Sequence, residues 1–465
     1  MNDTVEIRTP AVICHRHREE LPPGALDFSA SGNLYATHAL HAFAARCPPP
    51  LARWAIDTFT DPGDVVLDVM CGSGTTLVEA ALAGRYGQGV DIDPLARMVA
   101  LAKATPADAG AIDDLADEVE RLAPRTADDG WRPDLPRLDY WFRAEVSADL
   151  SRLRQLIRRL AVDGPLRRLA WTVFSSLIVG RTSVANARDL VHSRHHYREW
   201  TEDPLTVSRF LRGLRRASRL MAQFAEALPA VAYPACLVGS DARALTLSGG
   251  AVDLVFFSPP YVSALDYPRA HAFAVAWLSD VFDISPENYR SHARRYVGSD
   301  RAPLAAATPT QPLPVASGHE SVDAVVAALA ETPERAWVVS RYFSDMAAVF
   351  AQAARVTRPG GHVVVVVCPS NIRRVPVPTH EIFHTLAPAV SGGRLHLGAH
   401  YSRTIHDARR VMPYLEAKFG ERMREEYVLV FCRRPDQATP SSRSSAAAPG
   451  SDRRRRATAA PSTRS

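Results

Sequence analysis

The sequence predicts an α/β fold interrupted by a helical block. Three observations predict it. Strand, glycine turn, helix and strand follow one another over residues 65–93. Helical spacing dominates residues 106–233. Strand and helix lettering then returns from Val252 onward.

Taken in order, residues 1–34 are polar and lack a clear period, which suits an irregular arm. Val65 to Val69 is a short, β-branched apolar run with turn residues before it, the mark of a buried strand. CGSGTT follows as a glycine turn, and TTLVEAALAG reads as a helix ending at Gly84. QGVDID is a second strand closing in Asp91 and Asp93, which completes a βαβ unit. In the block 106–233, Leu166, Leu169, Ala170, Val173, Phe174, Leu177 and Ile178 recur at spacings of three and four, so this stretch is an amphipathic helix. Further helices are expected near 111–123, 145–161 and 204–227. VDLVFF is again a strand, SPPY a turn and 269–279 a helix. Residues 300–318 are Pro- and Ala-rich and read as a loop; 335–357 read as a helix, RPGG as a turn, and HVVVVVC and EYVLVFC as buried strands. The segment 435–465 is too poor in apolar residues to fold and forms a basic tail.

A chain of 465 residues allows two to four domains or one large decorated one, at roughly 100–200 residues per domain. With 46% hydrophobic and 23% charged residues it can bury a sizeable core, which excludes wholesale disorder. The longest branched aliphatic run, Val363 to Val367, is far too short to span a bilayer, so no membrane partner is expected. The stretch MNDTVEIRTP has neither a basic start nor an apolar core, so it is not read as a secretory signal. Six scattered cysteines form no CxxC pair, which argues against a disulfide framework or zinc ribbon and fits a reducing cytoplasm. Only Lys103 and Lys418 are lysines among the 55 basic residues, a bias that reflects codon usage more than phosphate binding. Residues 435–465 carry six arginines and two aspartates, so most of the net +5 sits there. Any nucleic-acid surface on the fold must therefore be a local patch.

Two stretches carry chemistry. In LDVMCGSGTT, Gly72 and Gly74 allow a sharp turn and close approach of a ligand, and the amides opening the next helix favour negative groups. The spelling is neither GxGxxG nor a phosphate-binding loop with lysine. Instead Asp68 ends the first strand and Asp91 the second, and an acid at that second place can bind ribose hydroxyls. This suits a nucleoside ligand without phosphates, such as S-adenosylmethionine. A structural turn with helix-capping acids has the same spelling. In VDLVFFSPPYVSALDYPRAH a strand runs into Ser258, Pro259, Pro260 and Tyr261, at the sheet edge where open α/β folds place ligands. An exocyclic amine has two hydrogens to offer, and the Ser258 hydroxyl and Pro259 carbonyl are two acceptors. Tyr261 is placed to stack on a flipped-out base. An ordinary Pro-Pro turn with a packed tyrosine is the other reading.

Together these stretches resemble the amino-group DNA methyltransferases, which modify the exocyclic amine of cytosine or adenine. The resemblance spans roughly His38–Thr105 and Val238–Arg433. It implies a Rossmann-like S-adenosylmethionine-dependent methyltransferase sheet with a helical insertion: residues 35–105 and 234–434 form the methyltransferase domain, and 106–233 the insertion, where one class of the family keeps its target-recognition region. LDVMCGSGTT resembles the cofactor loop, assigning Asp68, Cys71, Gly72, Gly74 and Thr75 to the cofactor. GVDIDP puts Asp91 on the ribose, and VGSDAR puts Asp241 on the adenine side. SPPY matches the catalytic tetrapeptide, and its leading Ser leans toward cytosine where Asp leans toward adenine. RVTRPGGHVVVVV and REEYVLVF resemble later strands, and THALHAFAARCPPPLARWAI resembles a segment near the methionine end of the cofactor in a bacterial subgroup. The implied partner is double-stranded DNA, with a cognate restriction endonuclease as a further one. No Pro-Cys pair is present, so carbon-5 cytosine methylation is disfavoured, and no metal is expected.

Asp266, Tyr267, Arg269 and His271 follow the tetrapeptide and are candidates for the base pocket, against a reading as helix caps and packing. Within DLVHSRHHYREW, Ser193 and Arg194 resemble a polar loop of the same bacterial subgroup. Arg209, Arg212, Arg215, Arg216 and Arg219 share roughly one helix face, which suits a phosphate backbone or an ordinary solvated surface equally. Cys14, His15 and His17 lack further ligands at metal spacing. The reaction expected is transfer of methyl from S-adenosylmethionine to cytosine N4 in preference to adenine N6. The alternatives are an RNA-base amine or a non-catalytic DNA-binding role on the same fold.

Overall fold

The computed structural model describes residues 21, 25–28, 32–161, 164–178, 184–185, 205–262, 265–299, 319–404 and 425–435. Its strands are β1 (Val65–Asp68), β2 (Tyr86–Val90), β3 (Cys236–Gly239), β4 (Val252–Phe257), β5 (Thr357–Val367), β6 (Ser370–Ile372), β7 (Val375–Val377), β8 (Leu395–Thr404) and β9 (Glu425–Arg433). The helices are α1 (Pro49–Phe59), α2 (Thr75–Leu82), α3 (Pro94–Ala104), α4 (Ala109–Leu122), α5 (Leu138–Trp141), α6 (Ala144–Leu160), α7 (Gly164–Ile178), α8 (Thr206–Ala227), α9 (Tyr267–Trp277), α10 (Pro286–Ala293), α11 (Glu320–Ala328), α12 (Pro333–Val356) and α13 (Thr379–Val390).

Among the described residues, seven strands form one sheet in the order β3-β2-β1-β4-β5-β9-β8. The first five run parallel, and β9 lies antiparallel between β5 and β8. Strand alternation sorts the core into two faces. Val66, Leu254, Phe256, Val364 and Val366 pack with Leu51, Ala55, Ile56 and Phe59 of α1. Leu67, Val255, Phe257, Val363 and Val365 pack with Val339, Phe343, Met346 and Phe350 of α12. Helices α4, α6, α7 and α8 share a third cluster with α2, α3 and α9, so the helical block is seated on the sheet's own helices.

The order of strands places the site. β1 and β4 are neighbours, with Val66 opposite Leu254 and Leu67 opposite Val255. The chain leaves β1 toward β2 on one side, while β4 leads to β5 on the other. The loops after β1 and β4 therefore open a crevice at the carboxyl edge of the sheet, the switch point where such sheets bind ligands.

Some expectations need correction. QGVDID does not run as a strand through Asp93: β2 ends at Val90, and Asp93 caps α3 by accepting from the Leu95 and Ala96 amides. RPGG lies inside β5 instead of preceding it as a turn; the register on β4 slips between Val252 and Leu254, and Gly360 at φ +77° takes up the irregularity. The arm, apart from a few positions, and nearly all of the tail lie outside the described residues, as do Cys14, His15 and His17. Among the described residues no helix is long and apolar enough to cross a membrane.

Candidate active site

The turn after β1 is shaped by its two glycines in different ways. Gly74 has φ +80°, and a Cβ there would lie 2.7 Å from the Ala100 Cα of α3, so only glycine lets α2 and α3 approach. Gly72 has φ +48°, and its open side faces the Phe43 ring, whose Cε1 would lie 3.4 Å from a Cβ. The turn holds its acids by backbone amides. Asp68 accepts from the Met70 amide at 3.0 Å and from the Thr76 hydroxyl. Asp91 accepts from the Gly72 amide and from the Asp93 amide, each at 2.8 Å.

These acids line a cavity of about 950 Å³, its open mouth included. Burial pushes the Asp68 carboxyl up to about 7, with the Asp91 charge adding to it against the Thr76 and Met70 hydrogen bonds. Burial and the Asp93 charge push Asp91 up to about 6, against the bonds from the Asp93 and Gly72 amides. Burial alone would raise Asp93 as well, but the His271 ring, its Nδ1 2.6 Å from Asp93 Oδ2, holds that carboxyl below the ordinary range. Asp241, after β3, sits on the wall with its carboxylate taken up by Arg243 at 2.8 Å and Arg295 at 3.2 Å. Arg243 is itself shared with Asp345 at 2.9 Å.

The sequence-predicted residues divide into two groups. Asp68, Cys71, Gly72, Thr75, Asp91, Asp241, Ser258, Pro260 and Tyr267 all line this one cavity. Gly74 and Pro259 are not on its wall. Tyr261 also stands off it: its buried hydroxyl needs an acceptor, and donates to Glu426 Oε1 of β9 at 2.8 Å. The expected stacking ring is thus turned toward β9. Aromatic wall comes instead from Tyr267 and Phe43, whose ring centroids lie 6.3 Å apart. Asp266 caps α9 by accepting from the Arg269 amide, and His271 serves Asp93, so both have structural work. Arg269 is half-buried on α9 and off the cavity wall. Ser193 and Arg194 lie outside the described residues. On α8, Arg215 is paired with Asp113 and Asp117 of α4, while Arg212, Arg216 and Arg219 are exposed.

Sequence reasoning singled out neither Phe43 and Arg46 individually nor Arg295, Tyr296 and Val297 at all, though all five line the cavity. The first pair sits in the segment ahead of α1. That segment is anchored by three groups, of which His38 and Lys103 are buried. Arg46 donates to the His38 carbonyl at 2.5 Å; His38 meets Glu79 at 2.6 Å; the buried Lys103 ammonium donates to the His38 and His41 carbonyls at 3.4 and 3.3 Å. The signal that could have found Phe43 is its place inside the resembling segment; Tyr296 offers none.

Residues 23–100 match a family profile described as DNA methylase. Over 381 residues, 78% of this chain and 83% of the relative, the sequence is 22% identical to the type II methyltransferase M.MvaI of Kocuria varians. In both matches the chain is similar to amino-group DNA methyltransferases. Its sheet is an open, mostly parallel α/β sheet of the Rossmann-like kind. Solved structures with which it aligns include a geranyl diphosphate methyltransferase in complex with S-adenosylmethionine (9% identity, 86% of this chain and 96% of that one, TM-score 0.30). An rRNA methyltransferase from Streptomyces viridochromogenes also aligns, at 13% identity over 87% of this chain and 93% of that one, with a TM-score of 0.29. Those scores are too low to decide the fold, which the strand order decides.

The residues present fit S-adenosylmethionine, the cofactor that the resemblance implies. Among the described residues the buried Ser73 hydroxyl on the cavity wall has no hydrogen-bond partner, as a group that a ligand completes would have none. Two carboxyls titrating near neutrality suit a ligand that offers hydroxyls and a cationic amino-acid end.

Proposed function

We propose that this chain methylates the exocyclic amine of a base in double-stranded DNA, cytosine N4 in preference to adenine N6. The observation that carries the proposal is one shared cavity: Ser258 and Pro260 line it together with Asp68, Gly72, Asp91 and Asp241. An acceptor-bearing turn and a nucleoside site thus open into the same space, which methyl transfer to an amine requires.

The roles follow from the atoms. Asp91 and Ser73 hold the cofactor's sugar and tail region, Asp68 its cationic end, and Asp241 with Ile92 and Ala242 its adenine side. When bound, the cofactor supplies a methyl group on a positively charged sulfur. The base must leave the stack to reach a cavity of this kind, since its amine is otherwise paired in the duplex. Phe43 and Tyr267 offer ring faces to such a base. The Ser258 hydroxyl on the wall accepts one amine hydrogen, which orients the nitrogen and eases build-up of positive charge on it. A neutral serine is no strong base, so the surplus proton leaves to water after transfer. What supports cytosine is the leading serine of the tetrapeptide, since the Ser-Pro-Pro-Tyr spelling leans toward cytosine in the family this chain resembles. The setting is the cytoplasm, at the nucleoid when DNA is bound, and a cognate restriction endonuclease is a candidate partner.

Ser258→Ala tests the assignment. It removes one amine acceptor but no cofactor contact. Methyl transfer should fall by about 10²-fold or more, as for loss of one aimed hydrogen-bonding group, with cofactor and DNA binding retained. Unchanged turnover would overturn the assignment.

A further inference from the structure

We propose that the β6–β7 hairpin is a phosphate-binding element for duplex DNA, with Arg373 and Arg374 at its tip as the contacts. The proposal rests on the reading of the chain as a methyltransferase of duplex DNA. The ladder pairs Ser370 with Val377, Asn371 with Pro376 and Ile372 with Val375, so Arg373 and Arg374 alone form a two-residue turn. Both stand at positive φ, +52° and +70°. That is the backbone of the turn whose twist matches a hairpin, and its favoured spelling is Asn-Gly, because those residues adopt positive φ at little cost. Arginine at both places is strained twice over. An arginine-rich composition explains why arginine is common in this chain, but not why two of them occupy adjacent left-handed positions. Strain held at an exposed tip points to work done there.

Nothing within the fold draws on the pair. Both side chains are exposed, and among the described residues neither has an ion-pair or hydrogen-bond partner. The other exposed residues of the hairpin, Asn371 and Pro376, carry no charge. Its inward residues fix the tip, because Ile372 and Val377 are buried in the cluster that holds Phe343 and Phe350 of α12. The strand order decides where the tip stands. β5 lies beside β4 and parallel to it, with Val365 opposite Phe257, so Ser258 and the hairpin leave the same edge of the sheet. From Val365 only eight residues lead to Arg373, which keeps the tip within about 30 Å of the end of β4. One turn of duplex is about 34 Å long. A duplex whose base enters the cavity at Ser258 therefore lays its backbone within reach of the tip. Two guanidinium forks on a fixed turn suit phosphate oxygens, which they meet in pairs. Phosphate contacts position a duplex without reading it, so the hairpin sets affinity and orientation rather than the recognition sequence.

The test measures binding of a labelled duplex of about 30 base pairs and mixed sequence, by fluorescence anisotropy, from about 50 to 200 mM salt. Arg373→Asn combined with Arg374→Gly installs the favoured turn and removes both charges. Arg373→Lys combined with Arg374→Lys keeps both charges. The Asn-Gly variant should bind about 10- to 30-fold more weakly near 0.15 M salt. Its slope of log affinity against log salt should flatten by about 2, one for each phosphate lost. Its thermal midpoint without DNA should rise by about 2–4 °C as the strain is relieved. The lysine pair should keep the wild-type slope. Wild-type affinity and slope in the Asn-Gly variant would overturn the proposal while sparing the DNA reading. So would a lowered midpoint, which gives the arginines structural work, or an equal loss in the lysine pair, which rules out a contact made by charge. Failure of the wild type to bind the duplex, whether or not it binds bulk RNA, would instead overturn the DNA reading, and this inference with it.

Discussion

Asp68→Asn should stabilise the cofactor-free protein, and by an amount that depends on pH. Asp68 is 5% exposed, and its carboxyl is raised from an ordinary 3.8 to about 7. The folded state therefore binds a proton that the unfolded state has lost between pH 4 and 7, so this group's effect on stability becomes more unfavourable as pH rises through that window. A carboxyl moved that far corresponds to about 4 kcal/mol, complete above pH 7 and absent below pH 4. Asparagine keeps an acceptor for the Met70 amide and carries no charge to desolvate. The histidines complicate either curve taken singly: burial lowers His41 to about 3, and burial followed by neighbouring histidine charges lowers His380 and His384 to about 4. Their contribution runs in the opposite sense, with stability gained as pH rises from about 4 to 6.5. The difference between variant and wild type cancels them. Thermal midpoints of both proteins, without cofactor, at pH 4.5, 6 and 8 make the measurement. The variant should gain least at pH 4.5 and most at pH 8. A difference that is flat with pH, or a variant less stable at pH 8, would refute the reasoning. Cofactor affinity of the wild type should rise with pH over the same window, and that of the variant should not.

Three further outcomes follow from other contacts. Gly74→Ala should cost about 2–5 kcal/mol, from the left-handed backbone and from backbone overlap with Ala100, whereas Gly72→Ala meets only the movable end of Phe43 and should cost about 1–2 kcal/mol; denaturant unfolding separates the two. Glu426→Ala should cost about 3–5 kcal/mol, since it leaves Arg403, 6% exposed and 3.2 Å from Glu426, buried without its carboxylate, and it frees the Tyr261 hydroxyl. Glu426→Gln keeps an acceptor for Tyr261 and should fall between that variant and wild type in both thermal midpoint and turnover.

Much of the architecture was legible because the parallel strands are short apolar runs closed by turns. Val65–Asp68, Val252–Phe257 and the valines of β5 needed no tertiary information. The helices at 109–122, 144–160 and 206–227 were legible from their apolar stripes. β8 was not, because its alternating residues face outward on an edge strand, and histidine, glycine and serine carry no strand signal. The acids and glycines of the turn after β1 were readable from spacing, since local backbone geometry demands them. Tyr261 was misplaced because its ring direction is set by Glu426, 165 positions away. Tyr296 was missed for the same reason: one aromatic after a short polar helix means nothing until the fold sets it on the cavity wall.

The most direct measurement is to incubate the protein with methyl-labelled S-adenosylmethionine and unmethylated genomic DNA, with bulk RNA in parallel. The products are digested to nucleosides and resolved by mass spectrometry. The account predicts label on the 4-amino group of deoxycytidine. Label on the 6-amino group of deoxyadenosine would contradict the inference from Ser258 while sparing the mechanism. Label in RNA alone, or none in either nucleic acid with cofactor bound, would contradict the central claim.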